Sequence, residues 1–196
     1  LKTLEEPSKS VVLFLVTSQE LLPTIISRCQ KVRFSFVPAI QIEQGIEQSA
    51  TAKEVAFLSA GRPGRALGLQ KANTHQEYAQ QAQEVLKVLQ ADESGKFSWI
   101  TEQFGQRGTL AERRESLHEY LNVFEAILRD GLLLRAQSSA EALQHLFMKN
   151  ELARYVQQVS FSEMTSLLKS ITLARQMIYS NVDPRLIAEG VLLKSD

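Results

Sequence analysis

Three consecutive residues, Ser27, Arg28 and Cys29, carry the most specific chemistry in the chain. They follow an apolar segment that ends at Thr17 and a short run, residues 21–26, that predicts a helical turn; a second predicted strand comes after them. An arginine held where a helical turn leads into a strand can direct its guanidinium across a subunit interface. The planar head of arginine suits phosphate oxygens better than a lysine does. The motif therefore predicts that Arg28 completes a phosphate site on another polypeptide.

Two segments on either side of the motif predict strands. Residues 11–16 are apolar at every position, which is typical of a strand covered on both faces in a parallel sheet. Residues 31–36 alternate between polar and apolar types. Because two strands cannot build such a sheet, we expect the other strands to lie upstream in a longer parent protein.

Beyond residue 37 the sequence predicts helices. In the capping box, a Ser or Thr is followed three residues later by Glu, and the pair satisfies two backbone N–H groups at a helix start. The pattern occurs at Thr51/Glu54, Thr74/Glu77, Thr109/Glu112, Ser138/Glu141 and Ser160/Glu163. Asp183 followed by Pro184 marks a sixth start.

Apolar residues recur at helical spacing after these starts, which indicates faces that pack against other helices. Three such faces are Tyr78, Ala82, Val85 and Leu89; Leu117, Leu121, Phe124 and Leu128; and Met164, Leu167, Ile171 and Ile178. We therefore predict a mainly α protein. A small helical unit covers residues 37–73, and a helical bundle covers residues 74–196.

Composition narrows the classes of function that the chain can have. Among 196 residues, 22 basic side chains balance 22 acidic ones, so no net charge attracts the chain to nucleic acid or to a membrane. No apolar run approaches the roughly 20 residues that cross a bilayer, and no signal peptide is recognisable, so we expect a cytoplasmic protein. The single cysteine, Cys29, excludes an internal disulfide, and the dispersed His75, His118 and His145 do not predict a metal site.

The order of these features resembles the clamp-loader branch of the AAA+ ATPases, and within it the delta prime subunits of bacterial DNA polymerase III. Four segments carry the likeness in the order of the family: residues 1–7, 27–29, 61–67 and 181–186. The resemblance implies that Arg28, within the Ser27-Arg28-Cys29 motif, is a trans-acting arginine finger that completes the ATP site of an adjacent motor subunit.

The resemblance also implies an order of domains. Residues 1–36 correspond to the end of an AAA+ nucleotide-binding domain, a small α/β remnant; residues 37–73 correspond to a helical lid; and residues 74–196 correspond to a helical collar. In clamp loaders the collars of five subunits form a ring. The implied partners are therefore the gamma/tau and delta subunits of a pentameric ring, with the sliding clamp and primed DNA reached through the complex.

Two positions relate to nucleotide binding. Thr17 lies where AAA+ proteins place the sensor 1 residue, a role that Ser18 fits equally well, although a threonine here also suits a cap for the next turn. Gly64 occupies the sensor 2 position, where catalytic subunits carry an arginine, and the neighbouring Arg65 is rotated by roughly 100° on a helix. Glycine is typical of the delta prime type, so the resemblance implies a subunit that is not an enzyme by itself and holds no cofactor in this chain.

Other interpretations remain open at this stage. Arg28 also fits a surface arginine that pairs locally with a carboxylate, and Cys29 fits a small buried apolar residue better than a nucleophile. A gamma/tau motor subunit of the same complex is a second possible function, although Gly64 argues against it. An unrelated helical adaptor for protein interactions is a third.

Overall fold

The computed structural model of the protein describes residues 12–17, 21–71, 74–105, 108–180 and 182–193. The chain divides into two compact units with the boundary between Ser35 and Phe36. We call them the N-terminal segment and the helical part.

The N-terminal segment contains one short helix in its described residues, α1 (Pro23–Ile26). The two predicted strands are not found there, since residues 12–16 and 31–36 form no strand. Their large apolar side chains are exposed, up to 99 % for Val16 and 96 % for Phe34. A strand exists through hydrogen bonds to a neighbouring strand, and these segments pair with none among the described residues. The predicted α/β remnant is therefore not shown.

The helical part begins with three short helices, α2 (Ala39–Gly45), α3 (Ala52–Leu58) and α4 (Pro63–Leu69). Proline opens α4 because its fixed φ and missing N–H suit the first helical position. The three helices bury one set of apolar side chains, which we call the small core: Ile42, Ile46, Ala52, Val55, Ala56, Leu58, Ala66 and Leu69.

The rest of the helical part is the predicted bundle. Its helices are α5 (Thr74–Gln90), α6 (Glu93–Phe104), α7 (Leu110–Arg135), α8 (Lys149–Gln158), α9 (Phe161–Ile178) and α10 (Pro184–Leu192). Helix α7 is central and packs against α5, α8, α9 and α10, whereas α6 packs against α10. The mainly α fold and the helical bundle are thus confirmed, whereas the division of the chain into three domains stays a prediction.

The apolar faces predicted from helical spacing form the bundle core. Leu117, Leu121 and Leu128 of α7 are at most 2 % exposed, and Met164 and Ile171 of α9 are equally buried. Full burial of such a side chain contributes roughly 1.5–3 kcal/mol relative to leaving it exposed. The spacing of apolar residues therefore identified the sides of α7 and α9 that hold the bundle together.

Three of the predicted helix starts form the expected bonds. Both reciprocal bonds of the capping box are present at Thr109/Glu112 and at Ser160/Glu163. Asp183 caps α10 by accepting a hydrogen bond from a backbone N–H of its first turn. Each of these side chains satisfies a backbone donor that the helix itself leaves unpaired.

The other three starts differ from the prediction. Helix α3 follows Thr51, but the Thr51 side chain makes no capping bond. Helix α5 begins at Thr74 itself rather than after it. Ser138 opens no α-helix: the chain there forms 3₁₀ turns at Ala140–Ala142 and Leu146–Met148.

Within the described residues, no helix is both long and apolar enough to span a bilayer.

Candidate functional site

Helix α1 places the Ser27-Arg28-Cys29 motif at its C-terminal end. Pro23 occupies the first turn, and the backbone N–H groups of Ser27 and Arg28 donate to the carbonyls of Pro23 and Ile25 at 3.0 and 3.1 Å. These bonds close the last turn and set the direction in which the next residues leave. The predicted helical turn before the motif is therefore present.

The Arg28 side chain is exposed. Its Nη1 donates to the backbone carbonyl of Thr24 at 2.7 Å, and the Ser27 hydroxyl donates to the same oxygen at 3.2 Å. The carbonyl thus holds both side chains of the motif against one turn of backbone. Cys29, the third member, is a free thiol that is partly buried.

The position predicted for sensor 1 lies in the same unit. Thr17 is exposed at the end of the apolar segment. Ser18, its alternative, falls outside the described residues, as do the first seven residues that contribute to the family likeness. The role of Thr17 in sensing a nucleotide stays a prediction.

The turn that carries the sensor 2 position lies between α3 and α4. Ala60 and Gly61 have positive φ values of 52° and 76°, a conformation that glycine adopts more readily than alanine. A Cβ on Gly61 would approach the Phe36 Cβ to 2.9 Å. The carbonyl of Gly61 accepts the N–H of Val37 at 2.9 Å. Only a glycine therefore fits where the chain enters the helical part.

Gly64 is exposed in the first turn of α4. A Cβ at this position would meet no atom within 4 Å beyond the backbone of its own helix. The next residue, Arg65, places its guanidinium carbon 5.2 Å from the ring centre of Tyr78 in α5. Arg65 thus contacts the bundle, whereas the space beside Gly64 is open.

A buried polar network begins at Tyr78. Its hydroxyl lies 3.1 Å from Nε2 of His145, and the two rings stack with centres 5.8 Å apart. On the far side of the imidazole, Nδ1 lies 2.9 Å from Oδ2 of Asp130. The side chains of His145 and Asp130 are completely buried. Burial raises the pKa of the Tyr78 hydroxyl, partly offset by the nearby Arg65 charge.

Asp130 also shapes the backbone of the loop after α7. Its Oδ2 accepts the backbone N–H groups of Gln144 and His145 at 2.9 and 2.8 Å, and its Oδ1 accepts Nη1 of Arg129 at 3.0 Å. With Nδ1 of His145, four nitrogen atoms lie within hydrogen-bonding distance of the carboxylate, so its acceptor capacity is used. These bonds hold the loop against α7.

The sequence offered one signal for this network. Asp130 shares a face of α7 with Val123 and Ile127, both buried, and a carboxylate on an apolar face requires a partner. Nothing in the spacing identified His145 as that partner. His145 entered the sequence analysis only as one of three dispersed histidines.

A groove of about 1710 Å³ lies beside the network. Its walls come from α3, α4, α5, α7 and the start of α9. Five glutamates and three arginines line it: Glu77, Glu84, Glu119, Glu125, Glu141, Arg62, Arg65 and Arg129. Among the residues that the structure describes, no group of three His, Cys, Asp or Glu side chains is placed to hold a metal ion.

The segment that carries the last family likeness stabilises the bundle. Asp183, besides capping α10, pairs with Nη1 of Arg113 in α7 at 3.1 Å. Arg114 donates to the carbonyl of Ser180 at 3.0 Å. Two arginines at the start of α7 thus bind the turn between α9 and α10, so these basic residues stabilise the fold.

Comparison with known proteins supports the resemblance that the motifs predict. Residues 1–38 match the family model described as DNA polymerase III, delta subunit. The chain is 26 % identical to DNA polymerase III subunit delta' of Bacillus subtilis (strain 168), over 98 % of this chain and 59 % of that protein. It therefore spans about three fifths of the length of this relative. No solved structure matches. The predicted similarity to a delta prime subunit is confirmed.

Proposed function

We propose that this chain corresponds to the C-terminal part of a delta prime subunit of a bacterial clamp loader, which uses ATP to load a sliding clamp onto primed DNA during replication in the cytoplasm. The observation that carries this proposal is the similarity to the Bacillus subtilis subunit over 98 % of the chain. The helical bundle and the position of the Ser27-Arg28-Cys29 motif after a short helix agree with it.

In this proposal Arg28 acts at the ATP site of an adjacent motor subunit. Its exposed guanidinium exchanges the Thr24 carbonyl for oxygens of the phosphoryl group that is being transferred. There it stabilises the charge that develops in the transition state, an effect worth roughly 10³ to 10⁵ in rate in other NTPases. The residue is thus a catalytic group supplied to a neighbour.

The remaining parts of the chain carry and orient that arginine. The small helical unit serves as the lid, which transmits rotation, and the bundle serves as the collar, which joins the gamma/tau and delta subunits in the ring. Large apolar side chains are exposed on α9 and α10, at Leu173 (58 %) and Leu186 (60 %). In the assembled ring, contacts with other subunits would cover these side chains.

We propose that the chain itself does not hydrolyse ATP and holds no cofactor. Gly64 supplies no side chain at the sensor 2 position, and Arg65 is engaged with the ring of Tyr78. Motor subunits of the gamma/tau type usually carry an arginine at the position that corresponds to Gly64, where it grips the terminal phosphate. Glycine at this position favours the delta prime role.

The test is an Arg28→Ala substitution in the full-length parent protein, assembled with its clamp-loader partners. We expect an intact complex in size-exclusion chromatography and a loss of ATP turnover at the adjoining site of roughly 10³ to 10⁵. Arg28→Lys restores charge without the planar head, so turnover should stay low.

Arg33→Ala is the matched control, because Arg33 is another exposed arginine of the N-terminal segment. It should leave turnover unchanged. Full turnover by the Arg28→Ala complex would reject the arginine finger. If the parent failed to assemble with motor subunits at all, the chain would be an adaptor of another kind.

A further inference from the structure

The described residues of the helical part form two hydrophobic cores that meet at few side chains. Among these residues, Tyr78 and Phe147 are partly buried and pack against both the small core and the bundle core. Helix α4 packs against α5, and α3 packs against the turn Leu146–Met148. The small helical unit therefore rests on one end of α5 and on the loop that follows α7.

The buried network lies at this meeting point. Tyr78 comes from α5, His145 from the loop that contacts α3, and Asp130 from the last two turns of α7. Arg65 of α4 lies over the outer face of the Tyr78 ring, and Phe147 meets the His145 ring edge-on with centres 6.0 Å apart. Polar and aromatic contacts thus run without a break from the small helical unit into the bundle.

The proton positions follow from the donors around Asp130. An ionised carboxylate only accepts, so Nδ1 of His145 donates to Asp130. The other ring nitrogen, Nε2, accepts from the Tyr78 hydroxyl when the imidazole is neutral and donates to it when the imidazole is charged. In both cases the ring is bonded on two sides, so the position of each member depends on the next.

We propose that Tyr78, His145 and Asp130, which all belong to the bundle, form a joint that fixes the Tyr78 ring and the Leu146–Met148 turn, the two parts of the bundle against which the small helical unit packs. Apolar contacts are non-directional and tolerate sliding, whereas a hydrogen bond weakens steeply when its distance or angle changes. The joint thus holds both contact surfaces of the bundle in place, and through them it resists rotation of the small helical unit. This inference concerns the chain alone and goes beyond the proposed function; within a clamp loader, the joint would make the lid and collar move together.

Tyr78→Phe tests the joint, because it removes one hydroxyl and keeps the ring that packs against both cores. We expect hydrogen exchange of the α2–α4 amides to accelerate by roughly 5–30-fold, with exchange of α7 and α9 unchanged. Spin labels at Lys53 in α3 and Glu115 in α7, both exposed, report orientation. In a Cys29→Ser background, which removes the single native thiol, the distance distribution between them should broaden.

Tyr120→Phe is the matched control. The Tyr120 hydroxyl donates to Glu84 at 3.3 Å inside the bundle, and it does not contact the small helical unit. This variant loses a comparable bond and should leave both the α2–α4 exchange and the label distribution unchanged. The joint is rejected if Tyr78→Phe changes neither quantity, or if Tyr120→Phe changes both to the same extent.

Discussion

The N-terminal segment and the helical part differ in the exposure of their apolar side chains. Residues 12–16 of the segment expose every apolar side chain by 45 % or more. In the helical part, α7 alone buries side chains along several turns, from Leu117 to Gly131. Apolar composition is thus not sufficient for burial, because the elements that carry it must also find partners.

The difference follows from where the hydrogen bonds of each element lie. A helix pairs backbone groups four residues apart, so its pattern and its caps act within one stretch of sequence. A strand pairs with another strand, which can lie anywhere in the chain or outside it. The predicted helical bundle was therefore confirmed, whereas the predicted strands are not found in the described residues.

The largest expected effect tests whether the helical part depends on its buried polar network as well as on apolar packing. Asp130→Ala leaves two buried backbone N–H groups and the His145 ring without their acceptor. Each buried donor left without an acceptor costs roughly 1–3 kcal/mol, so the loss of three such bonds should cost at least about 3 kcal/mol. Urea denaturation followed by circular dichroism should show a fall of this size in the free energy of unfolding.

Two further variants sharpen this prediction. Asp130→Asn keeps an oxygen that can take the place of Oδ2, so its loss should be clearly smaller than that of Asp130→Ala. Glu115→Ala removes an exposed carboxylate from the same helix and should change stability by no more than about 0.5 kcal/mol. Equal losses for the alanine variants at positions 130 and 115 would show that the network contributes nothing specific.

A smaller effect tests whether a predicted helix cap stabilises the protein only where its hydrogen bond is present. Thr109→Ala removes a cap that accepts the N–H of Glu112 at 3.2 Å, and caps of this type contribute about 1 kcal/mol. Thr51→Ala removes a predicted cap that makes no capping bond, so its effect on stability should be near zero. Thermal unfolding of the two variants compares them directly, and a larger loss at Thr51 would contradict the structure.

The Thr109 cap also has a pH dependence with a definite sign. Hydrogen bonds from the Thr109 backbone N–H and hydroxyl lower the pKa of the Glu112 carboxyl. Because the pKa in the folded state lies below that of the unfolded chain, the stabilisation is complete above the ordinary glutamate pKa. It disappears as the pH falls through the lowered value. The difference in stability between wild type and Thr109→Ala should therefore shrink in acid.

Local signals account for what the sequence could predict. The helical turn before Arg28, the faces of α7 and α9 and two of the capping boxes each depend on residues within a few positions of one another. The buried network depends on residues far apart: Tyr78 and His145 are separated by 67 positions, and His145 and Asp130 by 15. Their meeting is a product of helix packing, which apolar spacing does not encode. The exposure of Arg28 likewise follows from the fold and not from the motif.

The smallest expected effect compares two phenylalanines on either side of the boundary between the two regions. Phe34 is 96 % exposed and lies in the N-terminal segment, whereas Phe36, 71 % exposed, belongs to the helical part. The Arg62 guanidinium carbon lies 4.8 Å from the centre of the Phe36 ring, and such a contact contributes about 0.5–1 kcal/mol at an exposed site. Phe36→Ala should therefore lower the free energy of unfolding by this amount, and Phe34→Ala should lower it by less.

Repeating Phe36→Ala in an Arg62→Ala background isolates the contact between the two side chains, because the contact is already absent there. A larger loss from Phe34→Ala would mean that the side chain is buried in solution, and the contrast between the two regions would have to be abandoned.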